Sequence, residues 1–226
     1  MSAKALFELA PDEMMVDRPF TQLQNTADDL AFLEHARSLL RELLQTQALE
    51  EYRLVHPDID EPDALGVNAD FNKGYRLIIV NRATLLTQGA LTVVGFCGHK
   101  RANLTPDLLD EMSEIDTKLV EEMRGQEHML SYCSVEREDG NWCNLVLIRT
   151  PQGIGQWREG ALHRHATETL SPPYYQWVRL HNGVLPHGLA SPHIELTSTK
   201  YYDFGNGGET WRAERVYRIG TNIGPA

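Results

Sequence analysis

Apolar positions recur along this chain at two spacings, and the change from one to the other divides it into elements. Leu30, Leu33, Leu40 and Leu44 fall at helical spacing in one stripe that also takes in Arg37, and Leu39 and Leu43 widen it. Thr26 stands before this run as a hydroxyl cap, with Asp29 three residues on as an acidic partner for the first amides. A helix is predicted from about Ala27 to Glu51. Pro11 and Pro19 interrupt the residues before it, which read as an arm laid over the domain or over a partner. The acidic, proline-broken stretch from His56 to Gly66 reads as a loop.

From Tyr75 the spacing changes. YRLIIVNRA and the segment Ala90–His99 read as strands joined through LTQG, and the two are expected to pair as a hairpin. Thr105-Pro106 opens a helix with apolar face Leu108, Met112, Ile115, Leu119 and Met123, and Gly125 stops it. MLSYCSVE and WCNLVLIR alternate as strands about the Asp139-Gly140 turn. QWREGALHRHATETL returns to helical spacing, and YYQWVRLH to a spacing of two. The order from Leu91 to His181 is β-α-β-β-α-β, the ferredoxin-like unit. HIELTSTKYYDF and ETWRAERVYR add a C-terminal hairpin. The predicted fold class is therefore α+β: an antiparallel sheet with this core and its helices on one side, plus an N-terminal helix and a C-terminal hairpin. The strand from Trp142 to Ile148 is apolar on both faces, so a helix layer covers one, and the other needs a second sheet, another subunit or a ligand cavity.

Composition narrows the function classes. The formal charge of -11 over 226 residues, with no clustered Arg/Lys segment, excludes a general nucleic-acid backbone binder. No run approaches the roughly 20 apolar residues of a membrane helix, and the first residues lack the apolar core of a signal peptide, so the expected location is cytoplasmic, with no membrane partner. Cys97, Cys133 and Cys143 include no CxxC pair. No disulfide framework is expected, and Cys133 and Cys143 read as small buried hydrophobes.

Several chemistries lack their signatures. There is no GxSxG elbow, and Arg158 stands where a dinucleotide loop beginning at Gly153 and Gly155 would need its last glycine. Asp58, Asp60, Glu61 and Asp63 lack the spacing of an EF-hand loop. His163 and His165, two apart on a helix, diverge by about 200°, so no metal site is predicted.

The strongest candidate chemistry lies on the last strand of the unit. Alternation places Tyr175, Trp177, Arg179 and His181 on one face, an unusual dress for a plain core and natural for a mixed pocket. Arg179 and His181 are the catalytic candidates: Arg179 neutralises an acid, enolate or phenolate, and His181 moves a proton near neutral pH. Tyr175 and Trp177 hold an aromatic or apolar body. A competing reading pairs Arg179 with a protein carboxylate, Glu195 or Asp203 being the nominees. On the preceding helix, Trp157 and His165 share a face with Ala161 and Thr169. An inward His165 could ligate haem iron or act as a base, which makes haem the cofactor to test and adds both residues to the ligand-binding set.

The run LTVVGFCGH, TPDLLDEM through Met123, YCSVEREDGNWCNLVLIR, QWREGALHRHA and YYQWVRLH resembles the dimeric α+β-barrel proteins. The resemblance is topological and carries no residue motif. It implies a sheet face closed by a partner subunit or an internal copy, hence a homodimer, with residues 75–226 a barrel-like domain and residues 1–74 an arm, helix and acidic loop packed on it. That group includes cofactor-free monooxygenases, haem-binding oxidative enzymes, decarboxylases and non-catalytic proteins. The functional expectation is a small-molecule enzyme, an oxidoreductase or monooxygenase acting on an aromatic or apolar acid in an Arg/His-lined pocket. The other class kept open is a non-catalytic ligand-binding or structural homodimer.

Overall fold

The computed structural model describes residues 6–46, 75–205 and 209–217. The acidic loop expected at His56–Gly66 lies outside them. Among the described residues the strands are β1 (Phe7–Leu9), β2 (Tyr75–Ile79), β3 (Leu91–Lys100), β4 (Met129–Glu136), β5 (Trp142–Ile148), β6 (Tyr175–Leu185), β7 (Glu195–Asp203) and β8 (Trp211–Val216). The helices are α1 (Leu23–Thr46), α2 (Arg82–Thr87), α3 (Pro106–Arg124), α4 (Pro151–Glu159), α5 (Ala161–His165) and α6 (Ser171–Tyr174), with a π-helical turn at Ala166–Leu170. Among the described residues no helix is long and apolar enough to cross a membrane.

The strands form one sheet in the order β1-β8-β7-β6-β3-β5-β4-β2. Neighbours are antiparallel except β1 and β8, which are parallel. Its middle, β6-β3-β5-β4, has the strand order of a ferredoxin-like unit, and the chain is α+β as expected. The sheet is not closed into a barrel: β1 and β2 are its two edges. That overturns the dimeric α+β-barrel resemblance, and the physical reason is α1. Its apolar stripe (Leu33, Ala36, Leu40, Leu43, Leu44) packs in one cluster with Leu77, Val93, Cys133, Leu145 and Leu147, on the sheet face that the resemblance assigned to a partner. Gly95 makes room for it, since a Cβ there would run into Leu33 Cδ1. Val120 and Met123 of α3, with Ile154 and Trp157 of α4, cover the other face over Ile78, Tyr132 and Ile148. Helices therefore lie on both faces rather than one, and β5 finds cover on both inside its own chain.

Three local expectations change. β2 pairs with β4, not with β3, because the segment between β2 and β3 folds into α2, capped by the Asn81 side chain on the Thr84 amide. Helix α1 begins at Leu23, so Thr26 lies inside it and Asp29 is turned to the sheet instead of capping. The single helix expected from Gln156 to Leu170 is broken at Gly160, whose ψ of 136° leaves the helical region. Helix α3 forms as its signals indicate: Thr105 Oγ1 accepts from the Leu108 amide at 3.3 Å, Pro106 begins the first turn and Gly125 ends the helix.

Candidate functional site

Two rows of cross-strand neighbours on the α1 face carry the polar residues. One row runs Val135, Cys143, Cys97, Arg179, Tyr201, Ala213. The next runs Cys133, Leu145, Gly95, His181, Thr199, Arg215. Each row is apolar at its β4 end and polar on β6 and β7. Asp29 of α1 comes down onto the junction.

The Asp29 side chain is fully buried and both of its oxygens are engaged. Arg179 grips it in a fork, Nε to Oδ2 at 2.5 Å and Nη2 to Oδ1 at 2.9 Å. Arg137 Nη1 donates to Oδ1 at 2.8 Å, and His181 Nε2 lies 2.9 Å from Oδ2. Burial by itself would raise the Asp29 pKa. The hydrogen bonds from His181 and Arg179, with the Arg179 charge, outweigh it and hold the carboxyl far below the usual carboxylate range. On the other side of the ring, Tyr217 Oη donates to Thr199 Oγ1 at 3.0 Å, and Thr199 Oγ1 lies 2.8 Å from His181 Nδ1. The Nε2 position, 2.9 Å from the Asp29 carboxylate, is assigned a proton, since that oxygen only accepts. Arg215, fully buried, donates to the Thr21 carbonyl at 3.0 Å, to Tyr201 Oη at 2.5 Å and to the carbonyls of Ala10 and Glu13. It pins the N-terminal arm over the same face.

Arg179 and His181 are thus inward and adjacent, as strand alternation predicts. The partner of Arg179 is Asp29 rather than Glu195 or Asp203; Asp203 meets Arg18 instead. Trp177 shares their face, stacked on Phe20 at 5.5 Å and His99 at 5.1 Å between ring centres, with the Arg179 guanidinium 4.3 Å from its ring. Tyr175 does not join them. A bulge opposite His99 and Lys100 turns it to the other face, where it covers Gly98 and meets Phe96 edge-on at 5.5 Å. Trp157 packs in the cluster beneath α3, on that same far face. His165 is 44% exposed, with Nε2 3.6 Å from Glu111 of α3, because the break at Gly160 takes it out of phase with Trp157. A cleft of about 210 Å³ opens elsewhere, where the end of α3 meets Asn81 and Arg149.

Sequence reasoning passed over the cysteines. Cys97 and Cys143 face each other on β3 and β5 and form a disulfide, contrary to their reading as unpaired residues. Cys133 remains free and buried, and burial pushes its thiol up to about 12. Cys97 Sγ, an Asp29 oxygen and a His181 ring nitrogen all lie within 4.8 Å of one another. Three such atoms are close enough to share a metal ion, and nothing about them selects haem. Against a cation stand the two arginines already on Asp29 and the disulfide, which leaves Cys97 no thiolate. Asp29 did leave a signal: it precedes Leu33 by four residues and Ala36 by seven, an acid in phase with the apolar stripe. Arg137, in a turn, left none.

No family model matches the chain, and no curated protein matches it. Among solved structures, Rv0793 from Mycobacterium tuberculosis aligns at 14% identity and a TM-score of 0.33, over 42% of this chain and 92% of that one. Protein SO0527 from Shewanella oneidensis aligns at 11% identity and a TM-score of 0.34, over 49% of this chain and 97% of that one. A provisionally assigned monooxygenase from Fusobacterium nucleatum aligns at 12% identity and a TM-score of 0.34, over 55% and 48% respectively. Similarity at this level carries no argument about activity.

Proposed function

We propose that this chain is an oxidoreductase-type protein whose centre is the buried Asp29–His181–Cys97 cluster, with the Cys97–Cys143 pair as its redox group. The observation that carries the reading is the placement of that disulfide: its Cys97 sulfur sits within 4.8 Å of an ionised carboxylate and an imidazole, all beneath one helix. Two electrons and two protons convert the disulfide to two thiols, and an external dithiol supplies them. Arg179 and Arg137 against Asp29 leave one positive charge in surplus among these three, which favours a thiolate on Cys97 once the bond opens. An aromatic acid is a weaker substrate reading, because the guanidinium meant for its carboxylate is already held by Asp29.

The test is a count of reactive thiols in the folded protein. Native protein is alkylated before and after equilibration with a dithiol/disulfide buffer, and the labelled peptides are mapped. Cys97 and Cys143 should gain and lose label together and reversibly, with Cys133 silent. A bond that opens only in denaturant would sink the proposal. It would favour the second reading, a non-catalytic protein in which the saturated network only fastens α1 to the sheet.

A further inference from the structure

We infer that the oxidant consumed by the Cys97–Cys143 pair is a small hydroperoxide; this rests on the redox reading above and names its substrate class. Access supports it first. Cys97 is 2% exposed and Cys143 1%, under α1, so a small molecule reaches either sulfur more readily than a protein or peptide disulfide does, and the dithiol that reduces the pair must be small as well. Hydrogen peroxide is little larger than water and reaches buried groups through local opening. Of the four side chains in the Asp29 network, Arg137 has the most exposed position, at 29%, so it is the one that meets solvent.

Charge supports it second. Cleaving an O–O bond leaves negative charge on the departing oxygen, and the net positive charge of Arg179 and Arg137 over Asp29, already fixed in place, favours that charge through its field rather than through free donors. Arg179 is the cross-strand neighbour of Cys97, whereas Cys143 has apolar Val135 on its other side. Cys97 is therefore the attacking sulfur and Cys143 the resolving one.

The atoms balance in two steps. Cys97 thiolate attacks the terminal oxygen of ROOH; the O–O bond breaks, the alkoxide takes up the thiol's proton, and Cys97 sulfenic acid and ROH result. The Cys143 thiol then attacks that sulfur, the S–O bond breaks, and water leaves as the disulfide forms. Two thiols are oxidised, one peroxide is reduced, and a dithiol restores the pair.

The experiment uses the full chain, reduced and freed of reductant, mixed with hydrogen peroxide, cumene hydroperoxide, oxidised glutathione or diamide, with free thiols counted over time. Hydrogen peroxide should remove two thiols per molecule and yield the mapped Cys97–Cys143 bond at least tenfold faster than free cysteine reacts. Cumene hydroperoxide should be slower and oxidised glutathione slower still. Cys143→Ser should stop with one oxygen added at Cys97, and Cys97→Ser should not react. Arg137→Gln, at a position 29% exposed, should slow the peroxide reaction roughly tenfold and the diamide reaction clearly less, since both need the Cys97 thiolate but only peroxide leaves a charged oxygen to stabilise. If diamide closes the bond but peroxide reacts no faster than with free cysteine, the hydroperoxide inference is overturned and the redox reading stands. If no oxidant closes the bond in the folded protein, the redox reading itself fails.

Discussion

Asp29 is a fully buried acid, and its four hydrogen bonds are what make that tolerable. Asp29→Asn keeps the shape and removes the charge, leaving Arg179 buried without a counter-ion. We expect a loss of about 3–5 kcal/mol in urea unfolding at neutral pH. The pH dependence has a definite sign. The folded-state pKa of Asp29 lies below its unfolded value of about 3.9. Its contribution is therefore fully present above that value and is lost as pH falls through the folded-state value. The stability gap between parent and Asp29→Asn should accordingly narrow on acidification, and a gap constant from pH 7 to pH 3 would contradict the assigned charge state. This residue also marks where the sequence was read incompletely. Arg179 and His181 could be placed by alternation alone, because a strand has only two faces. Their partner could not be, since it comes from 150 residues away and from a position that also fits a helix cap.

The elements divide in the same way. The β-α-β-β-α-β core and the C-terminal hairpin were legible because each strand's alternation and each helix's stripe are local properties. Pairing was less legible. β2 has the composition to pair with β3, and only the short α2 sends it to β4 instead. The bulge that removes Tyr175 from the site leaves no mark in the residue pattern. The cysteines were missed for a related reason: partners 46 residues apart acquire meaning only once β3 and β5 are in register. A bond closing a loop of that length constrains the unfolded chain, and its reduction should lower stability by roughly 2–4 kcal/mol. Urea unfolding with and without a dithiol measures this, and equal midpoints would show that the bond does not restrain the unfolded chain.

Over the whole molecule, α1 takes the place that a second subunit was expected to fill. The motive for dimerising through that face is met within one chain. Hydrogen exchange offers a check. The amides of α1 should open together with those of β3 and β5, because the apolar cluster and the Asp29 network join them into one cooperative unit. Rapid exchange across α1 over a protected sheet would show the helix to be a loosely held cover. The same arrangement has a consequence for the order in which the protein is made. Asp29 leaves the ribosome 150 residues before Arg179, with His181 and Arg215 later still, and β1 waits for β8. Until β6 emerges, α1 is a helix with an apolar stripe, an unpaired acid and no finished sheet to lie on. This unit should therefore complete its folding only after β6 to β8 have emerged, and nascent chains stopped before β6 should be the ones that chaperones hold.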